Sequence, residues 1–171
     1  MSHLILIGYM GAGKTTVGKE CARQLGRAFE DTDYLIEKKA GKTVSRIFET
    51  EGEFAFRRME TEVLLQLEST SDSKVIATGG GLPLRKENRE ILKRLGIVVY
   101  LEVKTETVME RLKGDTTRPL LQYSDREQRI EKMLRERDGA YRLAADLVIS
   151  ADGKSPEQIF KELERLTGGK L

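Results

Sequence analysis

Eight consecutive residues near the start of the chain, Gly8-Tyr9-Met10-Gly11-Ala12-Gly13-Lys14-Thr15, follow the pattern G-x-x-x-x-G-K-[S/T]. Glycines let the backbone fold into a nest whose N–H groups converge on phosphate oxygens. A helix starting at about Lys14 turns its positive dipole end toward the same anion. The Lys14 ammonium is then placed for β- and γ-phosphates, and the Thr15 hydroxyl for Mg²⁺. The nucleotide-binding set is read as Gly11, Ala12, Gly13, Lys14, Thr15 and Thr16. The pattern serves kinases, GTPases and ATPases alike, so the rest of the chain must choose among them.

Asp31-Thr32-Asp33 follows a strand-like segment, at the end where open α/β sheets bind ligands. Two carboxylates there can serve a metal and an acceptor hydroxyl separately, although aspartate at a helix start is also a common cap. Arg57 and Glu60 are three apart on one helix face, either as a surface ion pair or, because Phe56 faces inward, at a cleft edge. Gly79-Gly80-Gly81 ends another strand. Three glycines suit close backbone approach to a ligand, or a plain strand exit. Arg118, in an irregular stretch, is a candidate charge clamp on a lid. Arg137 precedes Tyr141 by one helical turn. Either arginine alone would also fit a solvated surface.

The elements that must position these groups alternate. Leu4–Ile7, Val75–Ala77, Ile97–Leu101 and Leu147–Ile149 are short apolar runs with little alternation, as in parallel strands covered on both faces. Ala28–Glu30 is a weaker fifth. Val17, Cys21 and Leu25 recur every four residues before Gly26, and further helices are expected over Glu53–Glu68 and Arg85–Leu95. Ser124-Asp125-Arg126-Glu127 and Ser155-Pro156-Glu157-Gln158 read as capping boxes. Asp31–Gly52 reads as an insertion beside the sheet, helix-like but broken by Gly41, and Lys113–Tyr123 as a mobile loop. The alternation predicts a three-layer α/β domain.

The length of 171 residues fits one domain, and 39% hydrophobic residues can form a core. A net charge of +2 gives no reason to expect nucleic acid or an anionic membrane as partner. One cysteine excludes an internal disulfide and suits a reducing compartment. The longest apolar run, Ile97 to Leu101, is far short of the roughly 18 residues of a membrane helix. The N-terminus lacks the features of a signal peptide. His3, the only histidine, leaves no histidine-based triad.

Taken together, the P-loop, Asp31-Thr32-Asp33, Gly52-Glu53 with Phe56-Arg57 and Glu60, the glycine triplet, Arg118-Pro119-Leu120-Leu121 and Arg137…Tyr141 resemble the shikimate kinase family. The resemblance spans about Leu4 to Leu166. It implies the nucleoside monophosphate kinase-like fold, with five parallel strands in the order 2-3-1-4-5, and one domain over 1–171. Within it, about 32–60 would bind the acceptor and about 113–123 would form the lid. It implies transfer of the ATP γ-phosphoryl group to the 3-hydroxyl of shikimate, in aromatic amino acid biosynthesis, by a cytoplasmic monomer. Lys14, Asp33 and Arg118 would be catalytic. Asp33 would hold the shikimate hydroxyls and accept the reacting proton. Arg57 and Arg137 would pair with the carboxylate, and backbone from Gly79 to Gly81 would close the pocket. Arg118 would reach ATP, and Asp31 would hold Mg²⁺ through water beside Thr15. Arg111 and Pro156 would flank the adenine, with Lys154 nearby. Ala12 and Thr15 stand where serine is frequent in the family, and neither removes a needed group. A gluconate-type kinase and a non-catalytic relative are the competing readings.

Overall fold

The structure, a computed structural model, describes residues 2–114 and 124–171. Five parallel strands form one sheet in the order β2-β3-β1-β4-β5, as expected. The strands are β1 (His3–Ile7), β2 (Ala28–Asp31), β3 (Lys74–Ala77), β4 (Gly96–Glu102) and β5 (Leu147–Ser150). Every residue of β1 is buried, which is why its sequence does not alternate. β2 lies at one edge with no fully buried residue, and its hydrophobic signal is correspondingly weak. His3 is part of β1, and its Nδ1 accepts the Lys74 N–H at 3.0 Å across to β3.

The helices are α1 (Lys14–Leu25), α2 (Thr32–Ala40), α3 (Val44–Glu68), α4 (Lys86–Leu95), α5 (Thr105–Arg111), α6 (Arg126–Ala144) and α7 (Pro156–Thr167). α1 packs on α7 and on β1 to β3, whereas α3, α4 and α6 pack side by side, the last two against β4. Two helical layers thus flank the sheet and bury a single core centred on β1, β3 and β4. The C-terminal ends of the strands deliver the P-loop, the Asp31–Asp33 segment and the glycine triplet to one rim.

Two local expectations are corrected. The Asp31–Gly52 insertion is α2 plus the first turns of α3. Gly52 adopts φ 83°, ψ 170°, a non-helical break inside α3, so the segment expected as a helix over Glu53–Glu68 runs from that kink to the end of α3. The Ser124 capping box does not form. α6 starts at Arg126, so Asp125 and not Ser124 is its cap residue; Asp125 makes no side-chain cap bond and pairs with Arg129 at 2.8 Å. The Ser155 box is complete, with Ser155 and Gln158 each bonding the other's backbone. α5 had no counterpart among the expected helices.

Candidate active site

The P-loop turns between β1 and α1. Gly11 and Gly13 have φ of 77° and 89°, a left-handed conformation that a side chain would strain. Gly13 caps α1 without any side-chain bond, and no acidic residue occupies the first turn. The first N–H groups of the helix therefore remain available for an anion. Lys14 Nζ donates to the carbonyls of Gly8 at 2.7 Å and Tyr9 at 2.9 Å, which holds the ammonium across the mouth of the nest.

Asp31, at the end of β2, caps α2, and its Oδ1 accepts the N–H groups of Asp33 and Tyr34 at 3.0 and 3.3 Å. Its Oδ2 accepts the Thr15 hydroxyl at 3.2 Å. The capping role weighed for Asp33 thus belongs to Asp31, and Asp33 is left over for chemistry. A hydroxyl and a carboxylate oxygen form a hard donor pair beside the phosphate nest. That suits Mg²⁺, which takes one or two protein oxygens and completes its shell with water and phosphate.

Asp33 Oδ1 and Glu60 Oε1 are buried and have no hydrogen-bond partner among the described residues. They converge at Gly79, where an added Cβ would come 2.6 Å from Asp33 Oδ1 and 3.2 Å from Glu60 Oε1. Burial, reinforced by the Asp31 charge, pushes the Asp33 carboxyl up to about 6. Burial pushes Glu60 up to about 7, with the Asp33 charge adding to the rise and Arg57 opposing it. Arg57 Nη1 donates to Glu60 Oε2 at 2.9 Å, and the Glu60 side chain is only 1% exposed. The pair is therefore no surface ion pair.

A stability prediction follows from Glu60. Its proton is held in the folded chain at pH values where the unfolded chain has lost it, so its contribution is full below about 4.5 and is lost as pH rises through about 7. Without acceptor, Tm should fall across that window by the equivalent of about 3 kcal/mol, roughly 6–12 °C for a chain of this size. Glu60→Gln should remove the part of the slope between about 6 and 7 and leave the part that the raised Asp33 carboxyl contributes below about 6, and an unchanged slope in that variant would show that Glu60 is not the group responsible.

The glycine triplet forms the opposite wall. Gly79 N–H donates to the buried Thr32 hydroxyl at 3.0 Å, tying the end of β3 to the segment between the two aspartates. A Cβ at Gly81 would collide with the terminal nitrogens of Arg57, and one at Gly80 would lie 3.3 Å from Arg137 Nη1. The wall is thus stripped of side chains where two guanidinium groups approach it. A cleft of about 560 Å³ joins Lys14, Thr15, Asp31, Asp33, Gly79 and Gly80.

Arg111, at the end of α5, donates to the carbonyls of Gly11 and Ala12, both at 3.0 Å, and to Ala151 at 2.8 Å. It clamps the P-loop to the segment after β5. With Thr16, Lys154, Pro156 and Ile159 it lines a second cavity of about 210 Å³, of a size for a planar ring. Lys154 is paired with Glu162 at 2.5 Å.

The fold therefore gathers Gly11 to Thr16, Asp31, Asp33, Gly79, Gly80, Arg111 and Pro156 around two adjoining cavities, with Arg57 and Arg137 standing beside Gly81 and Gly80 of the glycine wall. Arg118 and nearly all of the expected lid, 115–123, lie outside the described residues. Two neighbours of the site were not among the candidates. Glu60 had been read only as the partner of Arg57. Thr32 sits inside Asp31-Thr32-Asp33, and a hydroxyl between two carboxylates at a strand end was the available signal.

Comparison with known proteins agrees with this geometry. The family model described as shikimate kinase matches residues 10–167. A shikimate kinase of Aromatoleum aromaticum is 44% identical over 162 residues, covering 95% of this chain and 92% of its own. One of Thermodesulfovibrio yellowstonii is 44% identical over 174 residues, covering 99% of both. Among solved structures, shikimate kinase from Acinetobacter baumannii in complex with shikimate superposes with a TM-score of 0.91 at 43% identity, over 100% of this chain and 96% of that one.

Proposed function

The chain belongs to the shikimate kinase family, and from that premise we propose that its cleft transfers the γ-phosphoryl group of ATP to the 3-hydroxyl of shikimate. The observation that carries the reading is the pair of buried acceptor oxygens, Asp33 Oδ1 and Glu60 Oε1, beside the phosphate nest. A buried carboxylate oxygen without a donor is costly, and a polyhydroxylated acceptor supplies the donors. Arg57 and Arg137 face the same wall and suit the carboxylate of that acceptor, because a guanidinium fork pairs with a carboxylate bidentately.

In this account the nucleotide phosphates lie on the N–H groups of Gly11 to Thr15, and Lys14 exchanges its carbonyl partners for phosphate oxygens. Thr15 and Asp31 hold Mg²⁺, which when bound neutralises phosphate charge. Arg111 and Pro156 flank the adenine, and Arg118 belongs to the nucleotide side. Asp33 orients the acceptor hydroxyl and takes its proton as the oxygen–phosphorus bond forms and the bond to the β-phosphate oxygen breaks. Phosphoryl transfer depends chiefly on such positioning and on electrostatic stabilisation. Residues 32–60 form the acceptor-binding region. The protein works as a cytoplasmic monomer, as the family resemblance implies, and its one buried cysteine suits a reducing compartment. Among the described residues no helix is long and apolar enough to cross a membrane.

A coupled ADP-release assay with shikimate, with gluconate and with no acceptor tests the reading. Rapid ADP release with shikimate alone is expected. Equal release with gluconate, or equal release without acceptor, would replace it with a broader kinase or an ATPase.

A further inference from the structure

Tyr141 lies in α6, fully buried, with its ring against Tyr100 at a centroid distance of 5.0 Å. Tyr100 in turn donates to Asp138 on the same helix at 3.2 Å, so the ring is held on the α6 side. Packing alone would be served equally by phenylalanine, and a buried hydroxyl costs stability unless it is bonded. The Tyr141 hydroxyl is bonded at the pocket wall, donating to the Gly80 carbonyl at 2.6 Å. The Arg137 guanidinium, one turn earlier, meets that same hydroxyl at Gly80, where an added Cβ would lie 3.3 Å from Arg137 Nη1 and 3.8 Å from the Tyr141 oxygen, and it lies over the Tyr9 ring at 5.8 Å. Burial pushes the Tyr141 phenol up to about 12, so it stays a donor throughout the working pH range.

We propose that Tyr141 is a positioning residue for acceptor binding: one hydroxyl fixes the Gly80 carbonyl and the Arg137 guanidinium together, presenting the arginine fork to the acceptor carboxylate. The inference rests on the reading of Arg137 as a carboxylate partner. An arginine side chain loses much rotamer freedom when it must meet a planar anion in one orientation. Prior anchoring by the phenol removes part of that loss, and the gain belongs to the acceptor and not to the nucleotide.

The test is a double-mutant cycle of Tyr141→Phe and Arg137→Ala, assayed with shikimate and with an analogue whose carboxylate is reduced to an alcohol. Tyr141→Phe should raise the KM for shikimate on the order of 5- to 10-fold, the worth of one hydrogen bond, with kcat and the KM for ATP within about 2-fold. The same change should have little effect on the alcohol analogue, and little on shikimate once Arg137 is alanine. Equal losses for both acceptors, or equal losses in both backgrounds, would make Tyr141 merely structural and overturn the proposal. An unchanged shikimate KM in Arg137→Ala would overturn the reading of that arginine, and the proposal with it.

Discussion

Asp33→Asn should lower kcat about 10²-fold or more while leaving the KM for ATP close to normal. The substitution keeps the shape of the side chain and removes both its charge and its ability to take a proton. A positioned general base contributes roughly 10²–10⁴-fold, and a loose transition state, in which the proton leaves late, favours the lower part of that range. The orphaned Oδ1 faces the cleft beside Gly79, so the amide would present a donor in one orientation and a weaker acceptor in the other. The loss in kcat should be at least as large as the loss in shikimate affinity. The charge also predicts a pH profile. Burial and Asp31 bring the Asp33 carboxyl up to about 6, and the base must be ionised to act. Wild-type kcat/KM for shikimate should therefore rise with pH through about 6, and the variant should lack that limb. Near-normal turnover in Asp33→Asn would remove Asp33 from the mechanism.

Arg57→Ala should raise the KM for shikimate by about 30-fold or more, with ATP binding nearly intact. Truncating one partner of a desolvated charge pair costs roughly 2–5 kcal/mol, and the Arg57 side chain is only 19% exposed. The variant also strips Glu60 of its counter-charge. Comparison with Glu60→Gln separates the two effects, because that variant disturbs the pair without removing the guanidinium. Thermal unfolding of each reports the stability part, and shikimate titration the binding part. A variant that binds ATP poorly and shikimate normally would show that Arg57 serves the nucleotide.

The phosphate nest was legible in the sequence because its chemistry is local. All its atoms come from eight consecutive residues, and the glycines that allow the turn are the signal itself. The central strands β1, β3 and β4 were legible because burial on both faces leaves unalternated runs. The acceptor side was less so, because it is made by long-range contact. Thr32 meets Gly79 across 47 positions, and Tyr141 meets Gly80 across 61. No spacing rule shows that Glu60 would be buried with one oxygen unpaired. α5 has seven residues, too few for a helical period to stand out. The helix over Glu53–Glu68 was legible from its apolar face, and the positive φ of Gly52 marks the kink at which it begins. At α6, the serine-first pattern misplaces the start by one residue, since the helix begins at Arg126 and its cap position falls on Asp125.

The central claim is that Asp33 delivers one hydroxyl of shikimate to the γ-phosphoryl group lying on the P-loop. Phosphorus and proton NMR of the product made from ATP, Mg²⁺ and shikimate tests it most directly. The account predicts a single phosphomonoester whose phosphorus couples to the proton on carbon 3 of the ring, formed in equal amount to ADP and suppressed in Asp33→Asn. Inorganic phosphate in place of the ester, or an ester formed just as fast without the Asp33 carboxylate, would contradict it.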